Sequence, residues 1–283
     1  MINLRMGLPS KGRLAEETSK LLDQAGLSFR RQERTLFARV SELPVDITFL
    51  RSEDIPVLCA EGAIDMGITG GDLVEESGAD LVTRLPLGFG NCRLSVCVPN
   101  NSDFQSPSDL NGCRVATSFS HLTELFFGRH GVKVHLVPLS GSVEIMISLN
   151  VADGIVDLVQ TGSTLAANNL RVLTDIGRFE TVVVQNREKL QAEIADRVVR
   201  RLEGVVIARS WSLLEYNVPK AKLSDAEEIT PGFNSPTVNE LEDKGWCAVQ
   251  VMVKHNEIIE VMDRLEDIGA TAILETRINN CRL

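Results

Sequence analysis

The sequence contains no uninterrupted apolar run near the roughly 18 residues that a membrane-spanning helix needs. Its first residues also lack the long apolar segment of a secretion signal. Six cysteines and four histidines are present, but no Cys-x-x-Cys pair occurs and their spacing matches no metal-ligand pattern. The histidines and cysteines suggest no nucleophile of the Ser-His-Asp or Cys-His kind. A soluble, cytoplasmic protein with reduced cysteines is therefore expected.

Positive charge is scarce over the chain as a whole. The formal net charge of −10 argues against a general nucleic-acid binder, which needs a basic face to neutralise phosphates. Residues 1–40 depart from this balance, with eight Lys and Arg against four acids. An anionic ligand can be received there, although a solvated helix face explains the same residues equally well.

The remaining composition is that of an ordinary globular protein. A chain of 283 residues with 43% hydrophobic residues is long enough for about two domains and a sizeable core. Strand and helix patterns alternate along most of it, which indicates an α/β fold with mostly parallel sheets. Two α/β lobes that exchange crossover strands around a cleft resemble the periplasmic-binding-protein architecture.

Three regions are expected from this pattern. Residues 1–92 with 177–208 are predicted to form lobe I, and residues 93–176 lobe II. Residues 209–283 are predicted to have the element order βαββαβ, which is that of a ferredoxin-like, ACT-like domain. Its second helix has an apolar stripe of period 3.6 that ends at Gly269.

The segment from Asp153 to Thr164 says most about chemistry. A short β-branched run is predicted to be a buried strand, and a loop of Thr, Gly and Ser residues follows it and leads into a helix. Backbone N–H groups at a helix N-terminus favour a phosphate, and carboxylates before the loop accept hydrogen bonds from sugar hydroxyls or hold a hydrated Mg²⁺. A phosphorylated sugar is the functional interpretation; a surface turn with a capping aspartate is the alternative.

The two aspartates of this segment are Asp153 and Asp157. Residues four apart near a strand start need not share a side, so the sequence leaves open which one faces a ligand. Glu144, at another predicted helix start, is a third candidate for ribose or metal contact.

Several short motifs occur in one order along the chain. They are Lys11-Gly12-Arg13-Leu14, Asp54-Ile55-Pro56, Gly62 to Asp72, Gly88 to Leu94, Gly141-Ser142-Val143-Glu144 and Asp157 to Asn168, followed by Pro231-Gly232, Pro236-Thr237-Val238, Gly245 to Val249 and Gly269-Ala270. Together they resemble ATP phosphoribosyltransferase, in its long form with a C-terminal regulatory domain. The resemblance runs from Leu4 to Leu274.

This resemblance implies transfer of the phosphoribosyl group of phosphoribosyl pyrophosphate (PRPP) to N1 of ATP, with release of pyrophosphate and Mg²⁺ present, as the first step of histidine biosynthesis. The Mg²⁺ is expected to be held through the pyrophosphate of PRPP, with no protein ligands identified. The residues expected to bind PRPP are Glu144, Asp153, Asp157, Thr161, Gly162, Ser163 and Thr164. The hydroxyl-rich loop among them is expected to bind the 5-phosphate.

Basic residues are expected to act on the departing pyrophosphate. Arg51 and Arg34 resemble the family's catalytic arginines, and Lys11 is expected to act with them. Lys11 and Arg13 are also expected to bind the phosphates of the substrates. Asp72 is expected near the adenosine, with a helix N-cap as its structural alternative. For Arg34 a solvated surface position is the alternative, and for Arg51 both interpretations stay open.

The C-terminal domain is expected, by the same resemblance, to bind L-histidine as an inhibitor, in an assembly of dimers that form a hexamer. The residues proposed for the pocket are Ser235, Thr237, Ala270 and Thr271. A non-catalytic two-lobed receptor for an anionic solute is the main rival, and the missing secretion signal counts against it. A ligand-sensing regulator would need a DNA-binding helix pair with a basic face, which the sequence does not indicate.

Overall fold

The computed structural model describes residues 3–31, 35–160, 162–189 and 193–282. The chain divides into two compact units. The first comprises Met1–Lys20 and Ser28–Val199, and the second comprises Leu21–Leu27 and Arg200–Leu283.

The two units together contain strands β1–β15 and helices α1–α8 within the described residues. The strands are β1 Leu4–Pro9, β2 Phe37–Arg39, β3 Val45–Leu50, β4 Met66–Gly70, β5 Leu81–Pro86, β6 Cys92–Pro99, β7 Arg114–Thr117, β8 His135–Pro138, β9 Gly154–Val159, β10 Leu170–Phe179, β11 Thr181–Asn186, β12 Trp211–Pro219, β13 Thr237–Glu240, β14 Trp246–Lys254 and β15 Thr271–Arg277. The helices are α1 Arg13–Gln24, α2 Asp54–Ala60, α3 Gly71–Ser77, α4 Ser120–Arg129, α5 Ser163–Ala167, α6 Glu193–Ser210, α7 Leu223–Ile229 and α8 Ile258–Asp267. Single 3-10 turns lie at Pro107–Leu110, Val143–Ile145, Arg187–Lys189 and Lys220–Lys222.

Two sheets make up the first unit. The six-stranded sheet has the order β2-β3-β1-β4-β11-β5, and the five-stranded sheet has the order β10-β6-β9-β7-β8. The chain passes between them twice, from β5 to β6 and from β10 to β11. This two-sheet α/β layout with exchanged strands confirms the periplasmic-binding-protein-like core expected from the sequence.

The expectation of mostly parallel sheets is wrong. Strand β1 pairs in parallel with β3 and β4, but β2, β11 and β5 all join this sheet in antiparallel pairs. In the other sheet β7 is parallel to β8 and β9, whereas β6 pairs antiparallel with β9 and β10. The reason is that the two crossovers insert strands that run against the βαβ units on either side.

Two local expectations also need correction. Strand β5 was not predicted from the sequence, although it forms one edge of the first sheet. The helix expected after Ser140 is only the 3-10 turn Val143–Ile145. Ser142, just before this turn, and Asn150, beyond it, take left-handed conformations with φ 52° and 54°. A right-handed helix cannot pass through either residue, which limits it to the short segment between them.

Apolar side chains of the second sheet form its core on both faces. Leu94, Val96 and Phe127 belong to a buried cluster on one face, and Cys97 and Ile155 to a cluster on the other. Each such side chain contributes about 1.5–3 kcal/mol through burial. The buried, β-branched strand predicted within Asp153–Thr164 is thereby confirmed, and its ends are held in fixed positions.

The second unit confirms the βαββαβ order. Its sheet has the order β13-β14-β12-β15 with every neighbouring pair antiparallel, as in a ferredoxin-like fold. Helix α8 buries Ile258, Val261 and Leu265 against one face of the sheet, which matches the predicted stripe. It ends where Gly269 takes φ 92°.

None of the helices in the described part of the chain is long and apolar enough to cross a membrane.

Candidate active site

The carboxyl end of β9 opens into a cavity of about 410 Å³. Gly162, with φ 79°, lets the chain reverse between β9 and α5, because the left-handed region strongly favours glycine. The cavity is lined by Glu144, Asp157, Leu158, Val159, Gln160, Gly162, Ser163, Thr164 and Leu165. Five of the residues predicted to bind PRPP therefore share one cavity. Thr161, a sixth, lies outside the described residues.

Two carboxylates form the acidic wall of this cavity. Burial raises the pKa of Asp157, and the nearby charge of Glu144 raises it further. The backbone N–H of Leu158 donates a hydrogen bond of 2.8 Å to Asp157 Oδ1, which opposes both effects. A raised pKa means that the folded protein pays to keep this carboxylate charged, so a hydroxyl donor or a cation beside it is favoured.

Asp153 lies at the opposite end of the same strand. Its carboxylate receives two hydrogen bonds from the Arg114 guanidinium, at 2.8 and 3.2 Å, and one from the Arg114 backbone N–H at 2.9 Å. This ion pair lowers the pKa of Asp153. Four residues of extended chain separate it from Asp157 by about 13 Å. The structure therefore does not bring Asp153 to the cavity.

Another group of predicted residues meets at one edge of the first sheet. Because β1 is parallel to β3 and β4, the carboxyl ends of these strands lie side by side. The Ser10 N–H donates to the Leu50 carbonyl at 2.7 Å across this edge. Lys11, Arg51 and Asp72 follow β1, β3 and β4 directly, so the fold gathers them there.

The basic residues of this edge differ in their surroundings. Lys11 and Arg51 are exposed, and neither side chain has an ion-pair partner within the ranges that the structure describes. Arg13, the first residue of α1, donates from Nε to Glu17 Oε1 at 2.8 Å and is otherwise solvated. Arg34 lies outside the described residues.

Asp72 is buried at the start of α3. The N-cap position belongs to Gly70, and the backbone N–H groups of Asp72 and Leu73 act to lower the pKa of the Asp72 carboxyl group. Burial nevertheless raises the pKa of Asp72. Asp72 also adds to the effect of burial in raising the pKa of Cys92 to about 11, so the two side chains are close neighbours.

Cys92 belongs to a second cavity of about 340 Å³ that the sequence did not reveal. It is lined by Asn91, Cys92, Arg93, Val159, Gln160, Arg178 and Phe179. Arg93 stands within the Gly88–Leu94 motif, but nothing in the sequence singles out Arg178. Only the pairing of β6 with β10 brings the two arginines together.

None of the four residues predicted to bind histidine lines the groove of the second unit, but two of them are paired with residues that do. Thr237 pairs with Gln250 and Thr271 with Asn217, and both partners line a cavity of about 270 Å³. Ala270 is buried in the core, and Ser235 is exposed. The cavity is formed by Glu215, Tyr216, Asn217, Asn239, Ala248, Val249, Gln250, Ala272 and Leu274.

The donor groups allow a test of metal binding. Across the described residues no three His, Cys, Asp or Glu side chains cluster in a way that could hold a metal ion. The pair Glu144 and Asp157 offers oxygen ligands, which suit Mg²⁺ when most of its other ligands come from water and phosphate. These two carboxylates therefore fit a magnesium ion that arrives with a phosphorylated ligand.

Two protein-family models and several full-length relatives match this chain. The sequence model described as "HisG: ATP phosphoribosyltransferase" matches residues 51–204, and that of "HisG, C-terminal domain" matches residues 208–280. An ATP phosphoribosyltransferase from Rhodopirellula baltica is 63% identical over 280 residues, which cover 99% of this chain and 94% of the relative. One from Saccharopolyspora erythraea is 41% identical, over 99% of this chain and 100% of the relative.

A solved structure agrees with these matches. It is titled the "ATP phosphoribosyl transferase (HisG:HisZ) complex from Thermotoga maritima", has a TM-score of 0.64 and 27% identity, and covers 72% of this chain and 97% of that chain. The ordered motifs, both sequence models and the full-length relatives agree. The chain belongs to the ATP phosphoribosyltransferase family, whose reaction is the first step of histidine biosynthesis.

Proposed function

We propose that this chain joins N1 of ATP to C1 of PRPP and releases pyrophosphate, with the phosphoribosyl group held in the cavity at the carboxyl end of β9. The observation that carries this proposal is the composition of that cavity. One wall presents the carboxylates of Glu144 and Asp157, and the other presents the Gly162–Thr164 loop. Carboxylates accept hydrogen bonds from sugar hydroxyls, and the N–H and O–H groups of the neighbouring turn donate to a phosphate. These are the hydrogen-bonding groups that ribose 5-phosphate requires.

The phosphate-binding role is assigned to Thr161, Gly162, Ser163 and Thr164. We assign binding of the ribose hydroxyls to Asp157, with the carboxylate of Glu144 beside it. Its raised pKa supports this, because a partly desolvated carboxylate gains from each hydroxyl that donates to it. Its negative charge also favours the cation-like ribosyl centre that develops as pyrophosphate departs. For Asp153 the ion pair with Arg114 supports a structural role instead.

The leaving pyrophosphate needs positive charge in front of it. We propose that this charge comes from Lys11, Arg51 and Arg34. The phosphates of ATP are assigned to Lys11, Arg13 and Arg51. The exposure of Lys11 and Arg51 at adjoining strand ends supports these roles, because both remain available to an anion. Asp72 is proposed to contact the adenosine, at the edge where its buried carboxyl group lies.

Mg²⁺, bound through the pyrophosphate of PRPP, would neutralise part of the charge on the leaving group. The attacking lone pair belongs to the adenine ring, so the protein contributes position and electrostatics and no covalent intermediate. The expected cytoplasmic location stays a prediction.

The activity is tested by mixing purified protein with ATP, PRPP and Mg²⁺ and following the ultraviolet absorbance of N1-ribosylated adenine. We expect product formation, and Arg51→Ala should lower kcat more than it weakens ATP binding. The non-catalytic receptor predicts binding of an anion without product. Absence of product across a range of metal and salt concentrations would sink the enzyme proposal.

Inhibition by histidine is proposed for the second unit. The groove of about 270 Å³ supports it, because Glu215, Asn217 and Gln250 offer both charge and hydrogen bonds to an amino acid. Ala272 lines the groove with φ 50°, a conformation that non-glycine residues rarely adopt and that often marks a functional position.

A point variant tests this groove in the full chain. Asn217→Leu fills it with an apolar side chain, so histidine should no longer inhibit, whereas Glu260→Gln, at an exposed position on α8, should be inhibited like the wild type. Equal inhibition of wild type and Asn217→Leu would place the histidine site elsewhere.

Assembly of dimers into a hexamer is proposed as the means of coupling, because histidine must favour one of two arrangements to act at a distance. Its test is the molar mass with and without histidine.

A further inference from the structure

The second cavity of the first unit lies where β6 begins and where β9 and β10 end. This cavity of about 340 Å³ shares Val159 and Gln160 with the cavity assigned to the phosphoribosyl group. The two spaces therefore adjoin at the carboxyl end of β9. Whatever occupies the second cavity lies next to the sugar and its phosphates.

Two arginines stand directly opposite each other in this cavity. Arg93 on β6 and Arg178 on β10 are cross-strand partners in the antiparallel pair, and both line the space. Side chains directly opposite in such a pair point to the same face, with Cβ atoms about 4.5–5.5 Å apart. Like charges in this arrangement repel each other, so the pair costs free energy when no anion is present.

The protein offsets only part of this charge. Arg93 Nη1 lies 3.4 Å from Asp175 Oδ2, and the other oxygen of Asp175 accepts a hydrogen bond of 2.7 Å from the buried Ser95 hydroxyl. Arg178 is exposed, and within the described residues its guanidinium has no ion-pair partner. On the Cys92 side, the backbone N–H groups of Asp72 and Leu73 favour the charged form of the buried Asp72 carboxyl group.

We propose that Arg93 and Arg178 form a receptor for the polyphosphate part of a substrate, either the diphosphate of PRPP or the triphosphate of ATP. This inference rests on the proposed function and extends it. Two guanidinium forks side by side suit the several oxygens of a polyphosphate, which a single arginine engages only in part. Binding of the anion also removes the repulsion between them, so the unfavourable pairing becomes favourable only in the complex.

Direct binding tests the receptor. Inorganic pyrophosphate is titrated calorimetrically into the full chain and into Arg178→Gln, Arg178→Lys and the control Arg129→Gln, which removes an equally exposed charge from the last turn of α4. Arg178→Gln should weaken pyrophosphate binding about tenfold, as expected for loss of one charged hydrogen-bonding group. Arg178→Lys should lose less, and Arg129→Gln should bind like the wild type. Unchanged affinity in Arg178→Gln overturns the proposal.

Thermal unfolding separates a receptor from a structural arginine. Without ligand, Arg178→Gln should melt at the same temperature as the wild type or higher, because it relieves the repulsion. The rise in Tm on adding pyrophosphate should be smaller in the variant. A lower Tm of the free variant with an undiminished ligand-induced rise contradicts the proposal.

Steady-state kinetics identify the source of the polyphosphate. A rise of about tenfold in KM for PRPP alone assigns the pair to its diphosphate, and a rise for ATP alone assigns it to the triphosphate. Wild-type turnover with unchanged KM values in Arg178→Gln refutes this receptor and leaves the proposed activity intact. An inactive wild type refutes the activity, whereas the pyrophosphate titration still decides on the arginine pair.

Discussion

The two ends of strand β9 carry the same type of residue in opposite electrostatic conditions. Asp157 at the carboxyl end is partly buried beside Glu144, and its pKa is raised. Asp153, just before the amino end, is bound by the Arg114 guanidinium, and its pKa is lowered. One carboxylate costs free energy in its charged form, and the other gains from being charged.

This difference distinguishes a carboxylate that can bind a ligand from one that stabilises the fold. An uncompensated carboxylate in a cavity has capacity left for a ligand, and perturbed groups in clefts are frequent at active sites. The Asp153 carboxylate accepts three hydrogen bonds from Arg114, whose Nη1 also donates to the Asn150 carbonyl at 2.8 Å. This network ties the start of β9 to β7. The same strand thus has an anchored end and an end left open for substrate.

The largest expected effect comes from Asp157→Asn. Removing this charge should lower turnover about 100-fold, the scale of losing one preorganised electrostatic group. The free variant should be as stable as the wild type or more so, because the amide avoids the burial cost of the charge and still accepts from the Leu158 N–H. Initial rates and Tm of the same preparations check both expectations. Full turnover in Asp157→Asn would erase the functional difference between the two ends of β9.

A smaller effect is expected from the backbone at the two ends. Gly162 at the carboxyl end and Asn150 near the amino end both have positive φ, at 79° and 54°. Alanine at either position costs about 1 kcal/mol in this conformation, and a Cβ at Gly162 meets no atom within 4 Å. Both variants should therefore melt a few degrees lower. Only Gly162→Ala should raise KM for PRPP, by about tenfold, because only that turn is proposed to hold the phosphate.

Identical KM values for PRPP in the Gly162→Ala and Asn150→Ala variants would contradict a phosphate role for the turn after β9. A higher KM in both would mean that the amino end also supports the substrate, which would remove the distinction between the ends. The wild type measured at matched temperature below both melting transitions is the reference.

How far the sequence determines this picture depends on the range of the interactions involved. The strand of β9, the turn at Gly162 and the amphipathic helix α8 follow from local patterns, and the structure confirms all three. The mixed sheets and the edge strand β5 depend on pairing between distant segments, which local patterns do not encode. For this reason the parallel expectation failed although the elements themselves were mostly right.

The candidate site shows the same limit. The sequence leaves open which of Asp153 and Asp157 faces a ligand, and it does not show that Arg114, 39 residues away along the chain, binds Asp153. It also gave no reason to associate Arg93 with Arg178, because their contact exists only through the register of β6 and β10. The family, in contrast, follows from the order of short motifs along the chain, which can be recognised without knowing which residues are in contact.

The smallest expected effect, and the one with the clearest sign, concerns Asp153→Asn. The pKa of Asp153 is lowered in the folded protein, so its pair with Arg114 stabilises the fold above the ordinary aspartate value of 3.8, and this contribution is lost as the pH falls through the folded value. At neutral pH the variant should melt about 2 °C lower, a modest shift because the pair is partly solvated. Below pH 3.8 the difference should shrink towards zero. Turnover at neutral pH should match the wild type, and a large loss of turnover with unchanged Tm would move Asp153 to the substrate and reverse the roles of the two ends.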